Sequence, residues 1–583
     1  DCATPQAGPE GTQVADEAAF IEGDTNGIDG DWAHREALGQ RMEDFDQPKQ
    51  THFQQTLEKV FARMPVMKEL ALVSALKSYA GRHGGVVTRA SACTGMGIKA
   101  KIDPVLEQFL QRTYDIGLCS VHPLRSELNP RKRAFIRQQF ADATFIVGDM
   151  AGLQKDKAFD TVSGADRVVP HFVSIDIGFP CVSRCPLSVK CRENLNCCQT
   201  NSAATGKAVN CIFKIIEQNW PEEIMLECIT QLLQVGDGCT TSDAEWITQQ
   251  VTARGYWCIH TVVQASQQGS PVPRERIYWV AIKDIPKEKY EEASHFFLEV
   301  LHSFNIGEMT VDECTNTFLY MDDGDRETVS RMCGLPTYAG TGPMISQAKG
   351  VKATAPDYKT DHHEIFTASH YAWPVDWEQF GQTVLPDGLY QRERESLYFL
   401  HKRFPFDCAH KAEFVEINTS LPRLLQSCVD MDSDYTSFKK SPWRTTPGTL
   451  VGSGKVAVRY IKPGSSPTVC IARLLEPLEY LLCVGWSENF RAHHYFDLQK
   501  IGDLDLDPKL NQATYADLIG DMAGNAWSAY SYAAAQIARM AVSGKYLSQE
   551  TIVIDADSQQ PGQAQDTQAP DNGGGVVDES SSE

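Results

Sequence analysis

The chain has 583 residues, 42% of them apolar and 9% aromatic, with a net charge of −22 and 18 cysteines. These values fit a globular protein too long for one compact core. They exclude a disulfide scaffold, because cysteines so thinly spread read as reduced thiols of a cytosolic or nuclear protein. No apolar run is long enough to span a bilayer and no charged-then-apolar leader is present, so a membrane partner is not expected.

The negative charge sits at the ends. Residues 1–50 carry 12 acidic and 3 basic side chains, and residues 546–583 carry 8 acidic and no basic ones. The stretch between them is therefore near −5, mild enough to leave room for a local basic groove. Both ends are polar and low in apolar periodicity, and read as disordered. The first residue is Asp1 and not Met, which reads as a fragment or a processed chain.

In chain order, residues 52–80 space Leu57, Val60, Phe61, Val66, Leu70, Leu72 and Leu76 at helical intervals, and Pro65 divides them into two predicted helices. Residues 85–98 pass from a short β-type run into a Gly95-Met96-Gly97 turn. Helix is predicted over Lys99–Leu110. Strand, Gly turn and helix can cradle a cofactor, because glycine lets backbone approach a ligand; a plain turn is the alternative. A strand around Leu118–Val121 follows, then Asn129 as N-cap with Pro130 at the first helical position. Glu127 thereby falls at a strand end, where an acid can accept from both ribose hydroxyls of a nucleoside cofactor; a solvated loop Glu is the alternative. The run Arg131-Lys132-Arg133 is assigned to the solvated face of the helix. A third strand, 144–150, ends in Gly148-Asp149, an acid able to accept from an exocyclic amine or simply to form a turn.

The run FVSIDIGFPCVSRCPLS (172–188) is a buried-type strand that breaks at Gly178 and presents Cys181 directly after Pro180. At the rim of an open α/β sheet such a thiol is a candidate nucleophile; a buried structural cysteine is the bland alternative. Cys185, Cys191, Cys197 and Cys198 follow without a paired C-x₂-C, so no metal is expected. Helix is predicted over 207–219. The strand EEIMLEC then carries Glu227, a carboxylate that is costly in an apolar run unless paired or used. Residues 255–265 form a strand, and Arg274 and Arg276 precede a last strand. This alternation over 85–283 predicts a doubly wound α/β sheet. Beyond Lys283 the alternation is lost, up to a helix with a Gly485 turn over 472–490. A Gly524-Asn525 turn then leads into an Ala-rich helix.

In this order the segments resemble the DNA cytosine-5 methyltransferases. ACTGMG (92–97) resembles the cofactor loop, and Glu127 and Asp149 stand where that family keeps its ribose and adenine acids. GFPC (178–181) resembles the Pro-Cys motif, LEC (226–228) the Glu-Asn-Val motif and GSPVPRERIYWVAI (269–282) the Gln-x-Arg-x-Arg motif. ARLLEPLEYLLCVGW (472–486) resembles the Arg-x-Leu-Thr-x-x-Glu motif, and GNAWSAYSYAAAQIARM (524–540) the closing Gly-Asn motif. The resemblance implies a Rossmann-like S-adenosylmethionine-dependent methyltransferase sheet with a second, smaller target recognition domain. It assigns 51–284 to the first part of the catalytic domain, 285–504 to recognition and the penultimate motif, and 505–545 to a segment returning to the catalytic domain. It implies catalytic roles for Cys181, Glu227, Arg274 and Arg276. Cofactor contacts are implied for Cys93, Thr94, Gly95, Met96, Gly97, Glu127, Asp149, Met150, Pro180, Asn525 and Ala526.

The implied chemistry is addition of the Cys181 thiolate to C6 of a cytosine flipped out of duplex DNA, so that C5 can accept a methyl group. The implied location is nuclear in a eukaryote and cytoplasmic otherwise. The chain departs from the family at Ser91, Cys93, Val182, Arg184, Cys185, Cys228, Val272, Trp486 and Ser487. Two alternatives follow: cytosine in RNA such as tRNA as the substrate, or a catalytically silent DNA-binding regulator of the same fold.

Overall fold

The computed structural model describes residues 52–93, 95–140, 142–181, 183–184, 194–236, 238–319, 406, 409–417, 444–450, 455–461, 470–486 and 512–547. All of them fall in the unit His52–Glu583. The disorder expected of residues 1–50 and 548–583, and most of the region assigned to recognition, lie outside the described residues.

In chain order the elements are α1 (His52–Arg63), α2 (Val66–Arg82), β1 (Val86–Ala92), α3 (Ile98–Tyr114), β2 (Cys119–Ser126), α4 (Pro130–Gln139), β3 (Phe145–Val147), β4 (Lys157–Asp160), β5 (Ala165–Val168) and β6 (Ser174–Gly178). Then come α5 (Ala203–Asn219), β7 (Glu223–Cys228), α6 (Asp243–Ala253), β8 (Tyr256–Gln264), β9 (Glu275–Lys283), α7 (Tyr290–Ser303) and α8 (Val311–Phe318). The last are β10 (Ala412–Ile417), β11 (Lys455–Ile461), β12 (Cys470–Leu474), α9 (Pro477–Cys483), α10 (Gln512–Asn525) and α11 (Ala529–Tyr546).

Local chemistry sets many of the boundaries. Pro65 separates α1 from α2. The Asn129 side chain accepts from the backbone N–H groups of Arg131 and Lys132 with Pro130 next to it, the predicted cap. Thr310 and Glu313 close a capping box on α8. At the end of the chain the Arg-x₅-Glu spacing is structural. Arg473, the fourth residue of β12, donates to both carboxylate oxygens of Glu479 at 2.7 Å each, and Glu479 also caps α9 at Glu476.

The structure corrects four expectations. The 472–490 stretch is not helical throughout, because β12 occupies its start and α9 only 477–483. Gly524-Asn525 ends α10 and is not a free turn. Arg276 lies within β9 and does not precede it. The Arg131–Arg133 run is not solvated: Lys132 is buried and pairs with Asp521 at 2.7 Å, while Arg133 donates to the carbonyls of Glu127 and Leu128.

The nine-stranded sheet runs β5-β4-β3-β2-β1-β6-β7-β9-β8. Strands β3, β2, β1, β6 and β7 are parallel, and β9 joins β7 antiparallel. This is the doubly wound Rossmann-like sheet. Strand order reverses between β1 and β6, so the crevice at their C-terminal ends is the switch point where ligands bind in such folds. β6 and β7 are buried almost end to end, as strands covered on both faces must be. Helix α11, buried over nearly its whole length, packs on α2 and α7.

Beneath the switch point lies a closed set of charges. Asp176 on β6 takes Arg539 of α11 at 2.7 Å, and Arg539 reaches Glu223 of β7 at 3.5 Å. Asp103 on α3 takes Arg89 of β1 at 3.3 Å, His122 of β2 at 2.9 Å and the Tyr532 hydroxyl at 2.9 Å. All six of these acidic, arginine and histidine residues are almost wholly buried. Against the effect of burial, Arg539, Arg89 and Arg82 hold the Glu223 carboxyl below its usual range. Asp176 and Glu223 in turn hold Arg539 above its own. A second sheet, β10-β11-β12, is antiparallel and packs Phe414 on Phe318 of α8.

Candidate active site at the switch point

Strand β6 delivers Gly178, Phe179, Pro180 and Cys181 to the rim. Gly178 is required by packing: a Cβ there would run into the Trp527 indole nitrogen and stand 3.4 Å from Glu227 Oε2. Phe179 is buried and its ring lies 5.9 Å from that of Trp279, which anchors the turn, while Pro180 is exposed. Cys181 is half-buried, and its carbonyl accepts from Arg184 N at 2.9 Å. Ser183 Oγ accepts from Ala204 N at 3.1 Å, pinning the turn to the start of α5. Arg184 donates to the carbonyls of Gln231 and Gln234. The departure at position 184 is therefore a strut under the loop. Val182 and Cys185 lie outside the described residues.

Glu227 lies on β7 in register with Gly178. It is 6% exposed, and its Oε1 stands 3.1 Å from Arg276 Nε. That ion pair is what offsets the burial of this carboxylate. Arg276 is near the start of β9, and because β9 runs antiparallel to β7 that start lies beside the C-terminal end of β7. Arg274 is buried and donates to Gly524 O at 2.9 Å and Leu450 O at 3.4 Å. Burial and then the charge of Arg276 lower its pKa to about 10. It ties the site to the C-terminal segment, whereas Arg276 is the cation on Glu227. Cys228 is buried and its thiol donates to Phe179 O at 3.8 Å, joining β7 to the Cys181 turn. Burial, then Cys181 and Glu227, push that thiol far up, so it is no competing nucleophile.

The Gly turn at the end of β1 forms the neighbouring wall. Cys93, Gly95 and Gly97 all have positive φ. A Cβ on Gly97 would strike the Phe140 ring, whereas beside Gly95 there is open space. Glu127 accepts from Gly95 N at 2.9 Å and Asn129 N at 3.0 Å, one bond to each carboxylate oxygen. Each oxygen thus keeps acceptor capacity. Asp149 is exposed, and its Oδ1 caps Ala151 N at 2.9 Å. Met150 is half-buried with its sulfur 3.8 Å from Cys93 Sγ. Burial and then Glu127 push the Cys93 thiol up to about 12, leaving it inert. Met96 is wholly buried core. Asn525 is exposed and donates to Asp521, so its amide is engaged on its own helix; Ala526 is buried. Thr94 lies outside the described residues.

The sequence reading missed two residues. Trp527 sits over Gly178 and makes an edge contact with Tyr278 at 5.4 Å. Lys99 is buried, donates to Asp176 O at 2.9 Å and stands 4.0 Å over the Trp527 ring. Burial lowers it to about 8, although Asp176 and Glu227 oppose that shift. A readable signal existed: Lys99 and Asp103, four residues apart, share the buried face of α3 with Ile98, Ile102 and Leu106.

Residues 157–323 match the model of a family described as C-5 cytosine-specific DNA methylase. No curated protein matches the chain. Among solved structures, the S. pombe Dnmt2 methyltransferase aligns over 77% of this chain and 97% of its own, at 10% identity and TM-score 0.34. A putative DNA modification methyltransferase encoded within an E. coli prophage aligns over 79% and 99%, at 13% identity and TM-score 0.34. The Entamoeba histolytica methyltransferase EhMeth aligns over 78% and 97%, at 10% identity and TM-score 0.34.

Proposed function

We propose that this chain methylates C5 of cytosine in DNA, with S-adenosylmethionine as the methyl donor. The observation that carries the reading is the pairing of Glu227 with Arg276 beside the Pro180-Cys181 turn. It sets a buried carboxylate and its cation at the rim, next to the candidate nucleophile.

The residues at the Gly turn fit the cofactor. Open space borders Gly95, and Glu127 is oriented by two backbone N–H groups with acceptor capacity left for ribose hydroxyls. Exposed Asp149 can take the adenine amine, with Cys93 and Met150 as the apolar border. When bound, the cofactor supplies an electrophilic methyl group.

The chain's own residues prepare the base to receive it. Cys181 adds as thiolate to C6, which makes C5 nucleophilic. Glu227 contacts N3 and the exocyclic amine and favours that addition. Arg276 steadies Glu227 and the charge that develops near O2, while Arg274 positions the start of β9. Loss of the C5 proton and departure of Cys181 complete the cycle. The base must leave the duplex to reach this site, at a cost of about a few kcal/mol recovered in the pocket. Residues 285–504 are proposed to read the DNA, and the chain is placed in the nucleus if eukaryotic.

Incubation with labelled S-adenosylmethionine and either unmethylated duplex DNA or tRNA, followed by nucleoside mass spectrometry, tests this. The expected product is 5-methyldeoxycytidine. Label confined to 5-methylcytidine in tRNA would replace the polymer. Cofactor binding without either product would replace catalysis with a regulatory role.

A further inference from the structure

A buried cluster outside the proposed active site has the chemistry of a metal centre. Cys197 and Cys198 close the turn before α5, and Asp243 is the first residue of α6. One donor atom from each lies within 4.8 Å of the other two. All three residues are almost wholly buried, at 0%, 1% and 0% exposure. Donors of a tetrahedral centre with bonds of about 2.0–2.3 Å lie roughly 3.3–3.8 Å apart, so the cluster needs only a small contraction.

The present partners of Asp243 are weak for a buried carboxylate. It accepts from Cys198 N at 3.3 Å, Gln199 N at 3.4 Å and Cys197 Sγ at 3.7 Å. It forms no ion pair among the described residues. Arg184, whose charge it feels, makes no ion pair with it and turns Nη2 to the carbonyls of Gln231 and Gln234. A buried carboxylate beside two buried thiols, with no cation in ion-pair contact, is short of positive charge. Thiolate and carboxylate together favour a zinc-class ion. The same loop carries Cys239, whose sulfur accepts from Asn196 at 3.4 Å, next to Cys197.

We propose that Cys197, Cys198 and Asp243 bind one thiophilic divalent cation of the zinc class. Binding expels the two thiol protons to solvent, so affinity falls as pH falls. The ion cross-links the turn before α5 to the first turn of α6. Because Ser183 also bonds the start of α5, it stiffens the far anchor of the Cys181 turn. Sequence spacing hid this site, since the third donor comes 45 residues after the second.

The test uses the full chain, reduced, stripped with chelator and titrated with Co²⁺. A 1:1 thiolate charge-transfer band with tetrahedral visible absorption, displaced by Zn²⁺, is expected. Cys197→Ser, Cys198→Ser and Asp243→Asn should each weaken binding by at least about tenfold. Cys119→Ser, at an exposed thiol on β2, should not. Circular dichroism of each variant separates lost binding from lost folding. Absence of the band in the unaltered chain, or an equal band in folded Cys197→Ser and Asp243→Asn chains, would overturn the proposal. The readout needs no methyl transfer, so it is independent of the catalytic reading.

Discussion

The rim and the interior of one sheet use the same residue types for opposite ends. In the interior, Asp176, Glu223 and Asp103 face Arg539, Arg89 and the His122 ring, and each carboxylate has an arginine within 2.7–3.5 Å. One strand length away at the rim, Glu227 has one ion pair among the described residues, with Arg276 at 3.1 Å. A closed set of charges specifies how α11, far along the chain, seats on β6 and β7. An open pair keeps its capacity for a ligand. The difference lies in how many partners reach each carboxylate.

The largest effect expected from breaking the interior is on stability. Arg539→Met strands Asp176 and Glu223 without their main cation and should cost about 3–5 kcal/mol, read as a fall in the denaturant midpoint. At the rim the larger effect is on activity. Arg276→Ala leaves the buried Glu227 carboxylate without its cation and should cost about 1–3 kcal/mol, less than the interior variant because Arg276 itself is partly exposed. Methyl transfer should fall about 10²–10³-fold. A rim variant that unfolds the protein, or an interior variant that leaves stability intact, would erase the distinction.

A smaller effect sharpens the boundary between the two regions, where Lys99 sits under Trp527. Burial holds Lys99 at about 8 against its ordinary 10.5. Between those values the unfolded chain binds a proton that the folded chain does not, so stability rises with pH through that window. Lys101, also held at about 8, adds to the same rise. The informative quantity is therefore the difference between the wild-type and Lys99→Met unfolding curves. The variant should show the shallower rise from pH 8 to 10; equal slopes would mean Lys99 is not held down by burial.

Much of the sheet was legible because its signals are local. The Asn129-Pro130 cap, the Pro65 break and the apolar runs of β6 and β7 depend on neighbours within a few residues. Cys181, Glu227 and Arg276 were legible as chemistry-bearing residues at strand ends. What escaped the sequence depends on pairing across the chain. Arg276 faces Glu227 because β9 runs antiparallel, which no periodicity reveals. Lys132 reads as a surface charge until Asp521, nearly 400 residues later, comes to meet it. Trp527 and Lys99 find each other only when α11 returns to the sheet.

The central claim is that Cys181 attacks a cytosine held by Glu227. The direct measurement is covalent capture on duplex DNA carrying 5-fluorocytosine at target positions, with S-adenosylmethionine present, followed by denaturing electrophoresis and peptide mapping. The account predicts an adduct at Cys181 that forms with the wild-type chain and is lost in Cys181→Ser, whose unfolding midpoint stays unchanged. An adduct that persists in Cys181→Ser, or methyl transfer to cytosine without any adduct, would contradict it.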